Sequence, residues 1–217
     1  MKTRTATGSA RRGFTLIELL AVIVIISILA YFLINNVTAA KASVEEKATR
    51  ARLAQIATAI SEYADEHGDA PPSSFPAEWG PQNDPLNLGG EALYLALCAE
   101  GQPGEGRLDE EPVNTDGDQA AQRVPGHQSL ELFELADNWG NPIAYYNHRD
   151  YERKDAYLCF EDEAGEERES SALPRKNVKT GRWLAPRGFQ LLSAGPNGRF
   201  DEPGSDEDDD IAHAGGG

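Results

Sequence analysis

Residues 14–34 form an apolar run of 21 residues interrupted by one formal charge, Glu18, and by no proline or glycine. As a helix rising about 1.5 Å per residue, the run matches a hydrocarbon layer of about 30 Å. A chain that carries it must place it in lipid, in its own core or against copies of itself. Ahead of the run stand Lys2, Arg4, Arg11 and Arg12 with no acid among them. The positive-inside rule then puts the N-terminus in the cytoplasm and the bulk of the chain across the membrane. A carboxylate inside such a span costs about 3 kcal/mol unless something answers it. Glu18 is therefore either a bystander near the headgroups of a plain anchor or a residue with an assigned partner.

A cleaved secretory signal shares the basic start, but its apolar core is usually about 7 to 15 residues long and ends at a small-x-small site. Here the longer run leads into Tyr31-Phe32-Leu33-Ile34-Asn35-Asn36. No cysteine stands near its start for lipoprotein processing. The segment is expected to stay on the protein as a single membrane pass.

The stretch Gly13-Phe14-Thr15-Leu16-Ile17-Glu18, placed after a basic leader and at the head of one apolar span, resembles the processing signature of the type IV pilin and type II secretion pseudopilin superfamily. The resemblance implies that a membrane prepilin peptidase cuts between Gly13 and Phe14 and that the new amine of Phe14 is N-methylated. Glu18 would then pair with the Phe14 amine of a neighbouring subunit during filament assembly. The physics agrees, because two buried charges that are each unfavourable alone offset one another when joined. Many members of the superfamily carry a helix-loosening Gly and Pro where this chain has Ser27 and Asn35, which favours an unbroken helix.

The helical pattern continues without a breaker to His67, with Gly68 as its stop and Pro71-Pro72 just beyond. Leu53, Ile56, Ala57, Ile60, Tyr63 and Ala64 recur at helical spacing as one apolar stripe, while Glu45, Glu46, Lys47, Arg50 and Arg52 lie on the other side. The stripe is too short for an independent coiled coil. The expected organisation is a leader over residues 1–13, a membrane-spanning and filament-core half-helix over 14–35, an amphipathic half-helix over 36–67, and a globular head over 68–217.

Within the head, residues 68–90 read as a loop, and Glu91 to Ala99 as a short helix after a Gly-Gly turn. Residues 102–124 read as a polar surface loop. There Asn114-Thr115-Asp116-Gly117-Asp118 has the look of a calcium loop, but Pro112 occupies the first ligand position and Arg123 the place of the bidentate Glu, so it is set aside. Asp137-Asn138-Trp139-Gly140-Asn141-Pro142 reads as a turn, followed by a strand over 143–146. Further strands are expected at 157–160 and 188–192, separated by a charged connection over 161–179. Three strands against one helix make an α+β, pilin-like fold, a long N-terminal helix packed on a small antiparallel sheet. The Trp-Gly-Asn-Pro turn is similar to that of the major pseudopilin of type II secretion.

Gly188 to Gly198 also resembles that family's final strand and turn. Beyond it, Asp201, Glu202, Asp206, Glu207, Asp208, Asp209 and Asp210 place seven acids in ten residues. Such density needs solvent or a cation. The resemblance implies a loop folded around calcium, with Asn197, the Ala194 carbonyl, Asp209 and Asp210 as ligands and Asp201 and Asp208 as further candidates; a solvated acidic tail is the competing reading. Oxygen donors of this kind suit a hard cation. Cys98 and Cys159 could pair in an oxidising compartment, or stay as buried thiols.

The net charge is −16, and removing the four basic residues of the leader leaves −20, which argues against nucleic acid as a partner. His67, His127, His148 and His213 are scattered, and no nucleophile elbow or phosphate loop is present, so no enzyme is expected. The resemblance implies a structural subunit of a type II secretion pseudopilus. Its partners would be copies of itself, other pseudopilins, an inner-membrane platform and a cytoplasmic assembly ATPase. A type IV pilin or minor pilin for adhesion or DNA uptake, and a membrane-anchored calcium-binding module that never polymerises, are the competing readings.

Overall fold

Helix α1 runs Leu16–His67, 52 residues in one element, as the absence of Gly and Pro over that stretch dictates. The structure is a computed structural model that describes residues 15–75, 86–108, 111–120, 127, 129–161 and 166–216. The chain divides into two units, Met1–Ser43 and Val44–Gly217. In the first, Leu16–Leu33 is long and apolar enough to cross a membrane and none of it is buried. Ser27 stands inside the unbroken helix, its Oγ donating to the Ile23 carbonyl one turn back at 2.7 Å.

In the second unit the stripe read from the sequence becomes the spine of the head. Leu53, Ile56 and Ile60 are buried and Tyr63 packs beside them. The helix ends as the sequence indicates: the Gly68 amide donates to the Ala64 carbonyl at 2.8 Å, and Gly68 takes φ +82°. Helix α2 spans Leu88–Cys98. Gly89 and Gly90 therefore form its first turn rather than a turn before it. A Cβ on Gly89 would stand 2.2 Å from the Tyr145 carbonyl oxygen, so the glycine lets α2 lie directly on the next element.

Strand β1 is Ala144–Asn147, β2 Asp155–Glu161, β3 Glu166–Ala172, β4 Phe189–Ser193 and β5 Ile211–Gly215. They form two antiparallel sheets, β1-β4-β5 and the hairpin β2-β3. The expected strands at 143–146, 157–160 and 188–192 correspond to β1, β2 and β4; β3 and β5 were not expected. β3 reads Glu-Glu-Arg-Glu-Ser-Ser-Ala, with alternation hidden because its outer face is charged, and only Ser170 and Ala172 go inside. β5 is Ile-Ala-His-Ala-Gly, poor in strand formers. It pairs with β4 in the register Phe189↔Gly215 to Ser193↔Ile211, and a Cβ on Gly215 would meet the Phe189 ring at 2.7 Å. Tertiary fit rather than local preference makes it a strand.

The strands alternate between two cores. Tyr145, Phe189, Leu191 and Ile211 pack with Leu53, Ile56, Ile60, Leu93 and Leu97 of the helices. Ala144, Tyr146 and Leu192 pack with Tyr157 and Cys159 of the hairpin and with Phe200. The three-stranded sheet is thus the middle layer, with helices on one face and the hairpin on the other. Cys98 and Cys159 belong to these different clusters and form no disulfide with each other; burial pushes the Cys159 thiol up to about 12, which makes it inert in exchange.

Leu53→Ala is expected to lower the unfolding free energy of the head by about 2–5 kcal/mol, the usual range for emptying a packed core site. Gln55→Ala on the exposed side of the same helix should change it by less than about 0.5 kcal/mol. Urea titration of the detergent-solubilised chain checks both, and equal effects would contradict the assigned inward face.

Candidate functional site

At the N-terminal end, Thr15 and Glu18 close on one another. Glu18 Oε2 accepts from the Thr15 amide at 2.8 Å and from Thr15 Oγ1 at 2.7 Å, and the Glu18 amide donates to Thr15 Oγ1 at 3.3 Å. This is a reciprocal capping arrangement that answers two of the donors a helix start leaves open. Glu18 is exposed, as are Leu16, Ile17, Leu19 and Leu20 around it. Gly13 and Phe14, the expected cleavage and methylation positions, lie outside the described residues.

The turn before β1 is a junction. Asp137 Oδ1 accepts from the amides of Trp139 at 2.9 Å and Asn141 at 3.0 Å, its Oδ2 accepts from Ser193 Oγ at 2.6 Å, and Gly140 takes φ +88°. Burial pushes the Asp137 carboxyl up to about 6 against these bonds. Asn141 Oδ1 accepts from the Phe160 amide at 2.7 Å, and its Nδ2 donates to the Gly195 carbonyl at 3.4 Å. The turn so ties β2 and the end of β4 together and fixes where the acidic segment begins.

That segment leaves β4 through Gly195-Pro196-Asn197-Gly198, with Gly195 at φ +68° and Gly198 at +63°. Gly195 is required sterically as well, since a Cβ there would stand 2.6 Å from both the carbonyl oxygen and Oδ1 of Asp209. The chain then returns so that carboxylate oxygens of Asp201, Asp209 and Asp210 lie within 4.8 Å of one another. Asp209 Oδ1 and Asp210 Oδ1 are buried with no hydrogen-bond partner among the described residues.

Two arginines that the sequence reading did not include enter the same loop. Arg175 pairs with Asp210 and bonds both oxygens of Asp208, at 3.1 and 3.3 Å. Arg199 bonds Asp201 Oδ1 at 3.0 Å and Glu207 at 2.6 Å. Asn197 donates to Asp201 Oδ2 at 2.7 Å, while its own oxygen accepts from the Arg199 amide at 2.8 Å. Of the expected ligands, Asp201, Asp209 and Asp210 therefore converge. Asp208 is held away by Arg175 and by the Gly204 amide at 2.7 Å, Asn197 acts as a hydrogen-bonding brace, and Ala194 is buried where the turn begins. Arg199 lies two positions from Asn197 and was findable as an i,i+2 pair with Asp201; Arg175 lies 35 positions before Asp210 and leaves no local signal. The orphaned oxygens and all-oxygen donor set fit a hard divalent cation, while Arg175 and Arg199 already neutralise part of the cluster's charge.

Burial and neighbouring acids push Asp209 up to about 6; burial pushes Asp210 up to about 7, against the opposing charge of Arg175. Carboxyls whose folded pKa lies above the unfolded value of 3.8 stabilise fully below that value, and the contribution is lost as pH rises through the folded values. In chelator, the melting temperature of the head is therefore expected to fall from pH 5 to pH 8. Asp209→Asn with Asp210→Asn should make the fall shallower; an unchanged slope would show that these groups do not carry it.

A prokaryotic N-terminal methylation motif matches residues 8–30, the segment that holds Gly13, Phe14, Thr15 and Glu18, so the N-terminus carries a type IV pilin-like signature. No curated protein matches the chain, and no solved structure does.

Proposed function

We propose that the chain is a structural, non-catalytic subunit of a pilus-type filament, specifically a pseudopilin of a type II secretion system. The observation that carries this reading is the methylation motif over residues 8–30 on the exposed apolar span Leu16–Leu33, whose one acid, Glu18, stands at the first turn of the helix. A prepilin peptidase would remove residues 1–13 and Phe14 would be methylated. The helix would hold the subunit in the bacterial inner membrane, with the head outside the cytoplasm, until assembly. Leaving lipid is balanced when each apolar side chain, worth about 1.5 to 3 kcal/mol buried, finds neighbouring helices in a filament core. An inner-membrane platform and a cytoplasmic ATPase would drive that exchange. The α+β head, a helix spine against an antiparallel sheet, supports the reading at the level of fold.

The same reading places calcium in the acidic loop after β4, held by Asp201, Asp209 and Asp210. Its support is the pair of buried carboxylate oxygens that no hydrogen bond among the described residues answers. The ion would lock β4 to β5 and so set the outer surface of each subunit.

Mass spectrometry of chain purified from cells with a prepilin peptidase is expected to find an N-terminus at methylated Phe14; an intact Met1 would remove the reading. Glu18→Ala should abolish filament formation on co-expression with the assembly machinery while leaving the head folded by circular dichroism. Assembly at the wild-type level would leave only a membrane-anchored module.

A further inference from the structure

The one acid in the first turn of α2, Glu91, is brought against segments far away in sequence. Asn87, at φ +54°, is bolted to β2: its amide donates to the Ala156 carbonyl at 2.9 Å and its Oδ1 accepts from the Leu158 amide at 3.0 Å. Glu91 then sits in the first turn of α2 and is fully buried. Gly90 permits the approach, since a Cβ there would lie 3.3 Å from Glu134 Cβ and 3.0 Å from the Ile143 carbonyl oxygen. Glu134, also fully buried, is fixed by a two-bond bridge to Val113, at 2.8 and 3.2 Å.

The two oxygens of Glu134 differ sharply. Oε1 accepts from the Thr115 amide at 2.7 Å, from Asn87 Nδ2 at 3.2 Å and from the Thr115 hydroxyl. Oε2 is buried and has no hydrogen-bond partner among the described residues. Asp116 reaches the same place, its Oδ2 accepting from Asn87 Nδ2 at 3.0 Å. The loop behind it is braced by Gly117 donating to Asn114 Oδ1 at 2.7 Å and by Asn114 donating to the Asp118 carbonyl at 3.1 Å. Carboxylate oxygens of Glu91, Asp116 and Glu134 lie within 4.8 Å of one another.

We propose that Glu91, Asp116 and Glu134 form a second binding site for a hard divalent cation of the calcium class, separate from the loop after β4 and sharing no residue with it. Three observations carry this. A wholly buried carboxylate presents one oxygen that no hydrogen bond among the described residues satisfies, a gap that a bound ion completes. No Lys, Arg or His among the described residues bonds to Glu134, and the charges acting on it, Asp116 and Asp118, are both negative; the loop after β4, by contrast, has Arg175 and Arg199. The ligand atoms brought together here are carboxylate oxygens, a set that suits calcium or magnesium rather than softer metals. Asp116 is half-exposed and leaves a path for the ion and its water ligands. Burial pushes the Glu134 carboxyl up to about 8, against its bonds from Thr115. The calcium-loop look of residues 114–118 thus has a physical basis, although the loop gives only Asp116, and the other ligands come from α2 and from the segment ahead of β1.

Calorimetric titration of the full chain in detergent micelles with calcium chloride tests the site, using Asp209→Asn with Asp210→Asn to silence the other loop. One calcium per chain is expected to remain in that background, and adding Glu134→Gln should weaken it by at least tenfold. Because Glu134 is buried, the half-exposed Asp116→Asn gives an independent reading: in the otherwise wild-type chain it should lower the calcium stoichiometry by one or weaken one site tenfold. The proposal is overturned if the silenced chain binds no calcium, or if neither Glu134→Gln nor Asp116→Asn alters binding. None of these outcomes depends on filament assembly, so the pseudopilin reading stands or falls separately.

Discussion

A carboxylate held out of water has to be answered by hydrogen bonds, a cation or a proton, and the head of this protein meets that demand differently at each place it arises. Asp155 has Arg153, at 2.5 Å. Asp137 has two amides and a serine. Asp210 has Arg175 and the Asp201 amide. In each case the answering group comes from another part of the head or fixes a turn, so the acids act as staples on an otherwise apolar packing scheme. Removing one partner from such an arrangement is more damaging than replacing the whole of it.

The packing scheme is simple beside this. An amphipathic stretch of α1 buries Leu53, Ile56 and Ile60, α2 covers Leu93 and Leu97, and the sheet divides its side chains between the helix layer and the hairpin layer. The polar links run across the layers: Tyr145 Oη donates to the Pro71 carbonyl at 2.6 Å, and Tyr146 Oη to the Ala172 carbonyl at 2.9 Å. Apolar area gives the head its cohesion, and these buried hydroxyls fix which way the layers are set.

Sequence made α1 legible almost to the residue, because helical periodicity and the Gly68 stop are local signals. The same holds for the Gly140 turn and for β1, β2 and β4, whose aromatic and apolar content is strong. β3 and β5 were hidden, the first by a charged face and the second by alanine and glycine, since each is made a strand by what it pairs with. At the acidic loop the three converging aspartates were readable from density and resemblance. Arg175 was not, since its partner is 35 positions away. Glu91 and Glu134 were invisible for the same reason, being 43 positions apart. The local look of residues 114–118 was set aside because Pro112 holds the first ligand position of such a loop and Arg123 the place of its bidentate Glu.

The capping arrangement between Thr15 and Glu18 has a consequence for any second molecule that approaches this end of the helix. Both bonds from its own chain fall on Oε2, so an incoming amine can be met by Oε1 while the cap stays closed. What such an encounter adds at an exposed acid is one surface ion pair, which stabilises little by itself. Contact at this acid is suited to choosing the alignment of one helix against the next, while adhesion between them falls to the apolar residues that follow.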